Sequence, residues 1–184
     1  MVEAAISGVI FFTVLLGVIE FGLAFFDYLT TSNMSRVGAR TASTLGNSST
    51  ADYQILQKLA QSTASMPTSQ IQAIIVYKAT GVGAAPTASC LTGSVTGTCN
   101  FYTAANFATA ASTFGCGVAA PDRFWCPTTR LVGASAPQSG QPTTGPPDYI
   151  GVYIKVLHPN VTGLFGSSFT YTDSTVIRIE AQTP

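Results

Sequence analysis

Charged residues are scarce in this 184-residue chain, at 9% of the sequence, and eight Lys and Arg balance eight Asp and Glu. Average globular domains carry about 25% charged residues. The cations are scattered singly along the chain, which excludes the basic patch that nucleic-acid binding requires. A neutral chain also provides no long-range attraction for a charged ligand. Its weakly charged surface instead suits contacts that exclude water between identical neighbours.

The chain is also poor in histidine and lacks the usual catalytic motifs. The chain has one histidine, His158, and no Gly-x-Ser-x-Gly elbow, phosphate-cradling loop or carboxylate cluster. Local motifs therefore cannot supply the usual sets of acid, base and nucleophile. No Cys-x-x-Cys spacing occurs, which disfavours structural zinc. Asp122-Arg123 and Asp148 are isolated charges, which we expect in turns or ion pairs. We expect no enzyme activity, metal or cofactor.

A long apolar run occupies the first 46 residues. Residues 4–26 are apolar or small throughout except for Glu20, and no proline or cation interrupts them. About 20 such residues span the hydrocarbon core of a bilayer, which is roughly 30 Å thick. So much apolar surface on a terminal helix needs a bilayer or other copies of the chain to cover it. The run predicts a subunit that is held in a membrane before it assembles.

The helix is expected to continue past the apolar run to Leu45, where Gly46-Asn47 provides a stop signal. Its length would then be about 69 Å, roughly twice a bilayer's thickness. The second half is predicted to be amphipathic and to brace a globular domain. The apolar stripe expected to face that domain contains Leu23, Phe26, Met34, Val37 and Leu45, with Thr30 and Thr41 between them.

Two simpler interpretations of the run are a secretory signal peptide and an ordinary single-pass anchor. A signal peptide needs a basic region, a shorter apolar region and a cleavage site, which do not occur here in order. Against an ordinary anchor stand Glu3 and Glu20, because a carboxylate in a spanning helix costs about 2.5 to 3.5 kcal/mol. Arg36 and Arg40 would keep the C-terminal domain cytoplasmic, whereas the cysteines argue for the opposite side. A basic leader that once preceded Met1 would resolve this conflict.

The four cysteines, Cys90, Cys99, Cys116 and Cys126, lie in one region of the chain. Four cysteines allow three connectivities, and the local pairing of Cys90 with Cys99 and Cys116 with Cys126 is preferred because each pair flanks a short glycine-containing loop. Disulfides indicate an oxidising exterior or cell-envelope compartment.

The remaining periodicity predicts an α+β fold, with the long N-terminal helix packed on a small antiparallel sheet. A short helix is expected at residues 52–64, with Asp52 as its N-terminal cap. Strands are expected at residues 71–79, 149–157 and 174–181, and the second should present Ile150, Val152, Ile154 and Val156 on one face. The predicted organisation is an assembly helix at residues 1–46 and a globular domain at residues 47–184.

Residues 80–148 are expected to form an inserted lobe on the outer surface, because they hold seven of the ten prolines and all four cysteines. A structureless loop of this length is unusual in a compact domain, so we expect short elements pinned by disulfides. Its aromatic residues are more consistent with a small core than with a carbohydrate or surface-binding patch. They are Phe101, Tyr102, Phe107, Phe114, Phe124 and Trp125.

Three segments near the N-terminus resemble the signature of TadE-like pilins and pseudopilins, in the tight-adherence branch of type IV filament systems. They are Val2-Glu3 before the apolar run, Gly-Val-Ile-Glu-Phe-Gly at residues 17–22, and Ser-Arg-Val-Gly-Ala-Arg-Thr-Ala at residues 35–42. The resemblance covers about a quarter of the chain. Two features depart from the family: Val9 stands where a proline is usual, and Glu3 lies nearer the chain start than the fifth position typical of type IV pilins.

The resemblance implies a structural subunit of an extracellular Tad-type pilus, polymerising through its N-terminal helix for adhesion. It implies identical subunits, the inner membrane, a prepilin peptidase and the assembly machinery as partners. A minor pseudopilin or membrane-anchored binding module acting at low copy is the alternative. In the family, the glutamate near the N-terminus marks the assembly end. The candidate assembly residues are Glu3, Gly17, Glu20, Gly22, Arg36 and Arg40.

Overall fold

A computed structural model describes residues 2–63, 66–93, 97–133 and 146–180, and it confirms the predicted α+β class. The described helices are α1 (Val2–Leu45), α2 (Ala51–Ser62) and the short α3 (Ala88–Leu91). The strands are β1 (Ile71–Ala79), β2 (Cys99–Tyr102), β3 (Tyr149–Pro159) and β4 (Ser168–Arg178). Single 3₁₀ turns lie at Thr68–Gln70, Ala104–Ala108, Ala111–Thr113 and Pro127–Thr129.

Helix α1 is uninterrupted for 44 residues, about 66 Å at 1.5 Å per residue. It ends where the sequence predicts, because Gly46 adopts a φ of 56°. A left-handed glycine just past a helix satisfies the last carbonyls without a Cβ clash.

The sheet is antiparallel throughout, with the strand order β2-β1-β3-β4. The predicted face of β3 is confirmed, since Ile150, Val152, Ile154 and Val156 are all fully buried. Strand β4 begins at residue 168, six residues before its predicted start. The missed residues alternate Ser and Thr with the half-buried Phe169 and Tyr171, which is a strand signal that the prediction passed over. The predicted end of this strand, residue 181, lies outside the described residues.

The second half of α1 packs on the sheet largely through small residues, so the predicted stripe is confirmed only in part. Thr30 and Met34 of that stripe are buried, but Leu23 and Phe26 are exposed. The stripe also omitted three fully buried small residues, Ser35, Ala39 and Ala42. At Gly38 a Cβ would lie 3.0 Å from both the Leu59 and Val152 side chains. A helix this close to a sheet leaves no room for a larger side chain at this position.

Helix α2 covers the same core with Ile55, Leu56 and Leu59, as the sequence predicts. It begins at residue 51 and its N-cap is Thr50, so the prediction of Asp52 as the cap is wrong. Asp52 lies inside the first turn, fully buried, and its carboxylate points into the core, where it forms an ion pair with Arg130. The predicted end of this helix, residue 64, lies outside the described residues.

The segment predicted as a lobe contributes β2, which pairs with β1 at one edge of the sheet. The far face of β1 presents Ile75 and Tyr77, and the bonded Cys90 and Cys99 cover them. Both faces of β1 are therefore buried. Residues 94–96 and 134–145 of the predicted lobe lie outside the described residues.

Candidate functional site

The N-terminal half of α1 projects beyond the sheet with apolar side chains exposed on all sides. Between residues 2 and 29, the described residues that the rest of the chain buries are small or polar, such as Gly17, Glu20 and Ala24. The span from Ile6 to Leu45 is long and apolar enough to cross a membrane. The exposed large side chains are Val2, Ile6, Val9, Ile10, Phe11, Phe12, Val14, Leu15, Leu16, Val18, Ile19, Phe21, Leu23, Phe25, Phe26, Tyr28 and Leu29.

Glu20 is fully buried, and both of its carboxylate oxygens accept hydrogen bonds from the loop between β3 and β4. The Val161 N–H donates to Oε1 at 2.7 Å, and the Thr162 N–H and hydroxyl donate to Oε2 at 2.9 and 2.8 Å. Thr13, two turns earlier on the same helix, donates to the Val9 carbonyl and not to Glu20.

The loop that holds Glu20 is the hairpin tip, residues 160–167. It is closed by Asn160, whose N–H donates to the Ser167 carbonyl at 3.0 Å and whose Nδ2 donates to the Gly166 carbonyl at 2.9 Å. On its helix side the Phe165 ring lies 4.7 Å from the Phe21 ring, centroid to centroid. A Cβ on Gly17 would lie 3.7 Å from that Phe165 ring. The tip therefore rests on the last turns of the projecting half of α1.

A buried pair between Asp27 and His158 lies two turns further along α1. The His158 Nδ1 is 2.7 Å from Asp27 Oδ2, and both side chains are more than nine-tenths buried. This pair was not predicted from the sequence, although the sequence carries one signal for it. His158 continues the buried alternation of β3 after Ile154 and Val156, so a polar partner opposite it on α1 is required.

The other candidate assembly residues lie apart from Glu20. Glu3 is exposed and stands 17 residues before Glu20, about 26 Å along the helix. A Cβ on Gly22 would meet nothing within 4 Å. Arg36 and Arg40 are exposed one helical turn apart, and within the described ranges neither forms an ion pair. The structure thus brings Gly17 and Glu20 together under the hairpin tip and leaves the other four open.

The buried charges of the globular part form a network around Asp52. One of its oxygens is 2.7 Å from Arg130 Nη2, and the other accepts hydrogen bonds from Asn100 at 2.8 Å and Tyr102 at 2.7 Å. The Arg130 guanidinium also lies over the Trp125 ring, 4.3 Å from its centroid. Burial raises the pKa of Tyr102 well above its usual value, and the Asp52 charge adds to that rise. The network ties α2 to β2 and to the segment that follows.

Both disulfides have the preferred local pairing, Cys90 with Cys99 and Cys116 with Cys126. The isolated aspartates serve as expected. Asp122 accepts hydrogen bonds from the Gly115 and Cys116 N–H groups, and Asp148 pairs with Lys78 at 2.8 Å. Tyr102, Phe114 and Trp125 are buried in the core, while Phe101, Phe107 and Phe124 are half-buried.

The comparisons with known proteins bear on the same part of the molecule. The family model described as TadE-like protein matches residues 1–40, and this match confirms the resemblance noted in the sequence. No curated protein and no solved structure matches the chain. The family indicates a protein associated with a Tad pilus, and the apolar helix fits a membrane-anchored or surface protein.

Proposed function

We propose that the chain is a structural subunit of an extracellular Tad-type pilus of the type IV class. Helix α1 holds the subunit in the inner membrane before assembly and then bundles with the same helix of other copies in a helical filament. Adhesion or surface attachment is the role of that filament. The observation that carries the proposal is the projecting half of α1, where seventeen large apolar side chains are exposed.

The free energy available at this surface is large. Full burial of one Val, Leu, Ile or Phe side chain is worth about 1.5 to 3 kcal/mol. Seventeen large side chains between residues 2 and 29 are exposed. Covering them offsets the cost of association, which is about 4 to 15 kcal/mol for lost freedom of motion and about 0.5 to 1.5 kcal/mol for each ordered side chain. A bilayer and a bundle of identical helices both provide that cover.

Glu3 is the charge that this proposal must account for. It lies in the first turn of α1 with its side chain exposed. In a bundle of apolar helices we expect it to neutralise a cation of an adjacent subunit, the free N-terminal amine. A buried charge that loses its partner costs about 3 to 5 kcal/mol, so the pair favours one register of neighbouring subunits.

Sheared filaments from the native cell test the proposal directly. Electron microscopy and mass spectrometry should find this chain as the dominant component of the filaments. If the filaments contain it at low copy, it is a minor pseudopilin or tip module, and the structural-subunit proposal is wrong. Filaments that lack it altogether would reject both roles.

The variant Glu3→Ala separates membrane retention from assembly. We expect this variant to remain in the membrane fraction and to yield few or no filaments. Lys58→Ala is the matched control, because Lys58 is an exposed charge on α2 that donates a hydrogen bond to Gln61 at 3.3 Å. Normal filament yield from Glu3→Ala would contradict the role given to this residue.

A further inference from the structure

The hairpin tip is an apolar surface in its own right, separate from the helix on which it rests. Val161 is 73% exposed, Leu164 48% and Phe165 45%. These three side chains occupy one short loop, and the ring of Phe165 touches α1 at Gly17 and Phe21. The exposed apolar surface of the helix is therefore continuous with that of the tip.

The position of the tip along α1 sets its depth in a bilayer. Glu20 follows Val2 by 18 residues, about 27 Å along the helix. The hydrocarbon core is about 30 Å thick. When α1 spans the bilayer from its first residues, Glu20 and the loop that holds it lie at the far boundary of the hydrocarbon core. Any insertion of α1 to this depth brings the tip to the membrane surface.

The polar groups of this region are arranged for such a place. Residues 160–167 contain no charged side chain, and both Glu20 oxygens are occupied by donors from Val161 and Thr162. A carboxylate with three donors is far less costly to place near lipid than a bare one. The neutral tip offers apolar side chains to lipid and no cation to an anionic headgroup.

We infer that the hairpin tip inserts into the interfacial region of the bilayer beside α1, on the side of the globular part. Val161, Leu164 and Phe165 enter the lipid, while Glu20 fixes the tip to the helix. The partner is the bilayer itself, recognised by apolar contact without a preference for anionic lipid. This inference rests on the proposed membrane-held state of the subunit. Two apolar elements then set the depth and orientation of the globular part before assembly.

Fluorescent probes at three positions of the full chain test the inference. Ile10→Cys labels α1, Leu164→Cys labels the tip, and Val118→Cys labels an exposed apolar position elsewhere, 97% accessible. Val118 is the matched control because it lies far from the tip. It closely follows Phe114, whose ring packs on Tyr53 near the start of α2. Helix α2 begins just after the end of α1 that is opposite the projecting half. No described cysteine is free, so labelling without reductant targets the introduced thiol.

Each labelled chain is reconstituted in phosphatidylcholine vesicles that contain lipids brominated on their acyl chains. We expect strong quenching of the probes at positions 10 and 164 and none at position 118. Quenching at position 10 alone would overturn the inference and leave the proposed function standing. Absence of quenching at position 10 would reject the membrane-held state and, with it, both proposals.

A second variant separates insertion by the tip from mere proximity to the membrane. Adding Phe165→Asp to the chain labelled at position 164 should lower its quenching to the level of position 118, with position 10 unchanged. Unchanged quenching at position 164 would show that the apolar side chains do not drive insertion and would overturn the inference. Addition of phosphatidylglycerol to the vesicles should have no effect, and a requirement for it would likewise contradict a neutral apolar contact.

Discussion

At the scale of residues, one buried ion pair links α2 to the segment that follows β2. Arg130 and Asp52 are both fully buried and form an ion pair that also engages Asn100 and Tyr102 through Asp52. In an interior, removing one partner of a pair leaves the other charge uncompensated. These residues are therefore far more sensitive to substitution than the scattered surface charges, whose pairs contribute about 1 kcal/mol or less.

Arg130→Ala should lower the free energy of unfolding by about 3 to 5 kcal/mol, because it leaves the Asp52 carboxylate buried without its cation. The measurement is chemical unfolding of the full chain in detergent. Arg123→Ala is the matched control, since Arg123 is exposed and lies over the Phe124 ring. We expect a change below about 1 kcal/mol for the control. Equal effects of the two variants would contradict the importance of the buried pair.

Tyr102 makes stability depend on pH in the alkaline range. Burial, and then the Asp52 charge, raises its pKa in the folded chain well above the ordinary value of about 10. Above about pH 10 the unfolded chain loses the phenol proton of Tyr102, while the folded chain retains it. The free energy of unfolding therefore falls as pH rises above about 10, and the full contribution is present below that value.

Unfolding at a series of alkaline pH values measures this effect. Tyr102→Phe should reduce the slope of stability against pH, although it lowers stability at neutral pH through the lost hydrogen bond to Asp52. Some slope should remain, because burial also raises the pKa of Tyr77. An unchanged slope in Tyr102→Phe would rule out this residue as the source.

At the scale of elements, the contact between α1 and the sheet depends on small residues. Gly38 lies where a Cβ would approach Leu59 and Val152 to 3.0 Å. The hydroxyl of Ser35 hydrogen-bonds to Asp173 on β4, and that of Ser43 donates to the Arg178 carbonyl at 2.7 Å. This combination of close approach and short polar side chains fixes the position of the helix along the sheet.

Gly38→Val should destabilise the chain by about 1 to 3 kcal/mol, because the added methyl groups overpack the contact. Gly22→Val is the same change on the same helix at a site with nothing within 4 Å. The helix propensities of the two substitutions are equal, so the difference between their unfolding free energies isolates the packing cost. A difference near zero would show that α1 can shift to accommodate the side chain.

These elements differ in how far the sequence could predict them. The alternation of β3 and the stop at Gly46 are local signals, and both were predicted. The buried stripe of α1 was predicted only in part. Thr30 and Met34 are buried as expected, but a search for large apolar residues at helical spacing passes over positions such as Ser35 and Gly38. The partners of Glu20 were missed for another reason, since they lie 141 and 142 residues away and no local pattern encodes that contact.

At the scale of the whole molecule, two regions depend on different forces. The exposed side chains on the projecting half of α1 need a bilayer or neighbouring helices to cover them. The segment between Cys90 and Cys126 is stabilised by its disulfides and by the Asp52 network. Each disulfide closes a loop of about ten residues, which is worth about 2 to 3 kcal/mol in the loop-entropy model.

Reduction of intact filaments should therefore increase proteolysis between Cys90 and Cys126 while the filaments persist, because helix bundling depends on apolar contact. Cys116 and Cys126 are partly accessible, whereas Cys90 and Cys99 are buried. Mild reduction followed by alkylation should label the first pair before the second. Peptide mapping detects both effects, and dissolution of the filaments on reduction would contradict the separation of forces.

The hydrogen bonds between α1 and the C-terminal hairpin have a consequence for biosynthesis. They join residues 131 to 142 positions apart, at Glu20, Asp27, Ser35 and Ser43. Helix α1 leaves the ribosome before the strands that satisfy these groups. Until the hairpin arrives, the carboxylates of Glu20 and Asp27 have no donors from it. A chain without the hairpin therefore presents two acids on α1 that lack these donors. In the proposed function, synthesis of the hairpin must come before α1 settles in lipid or against a neighbour.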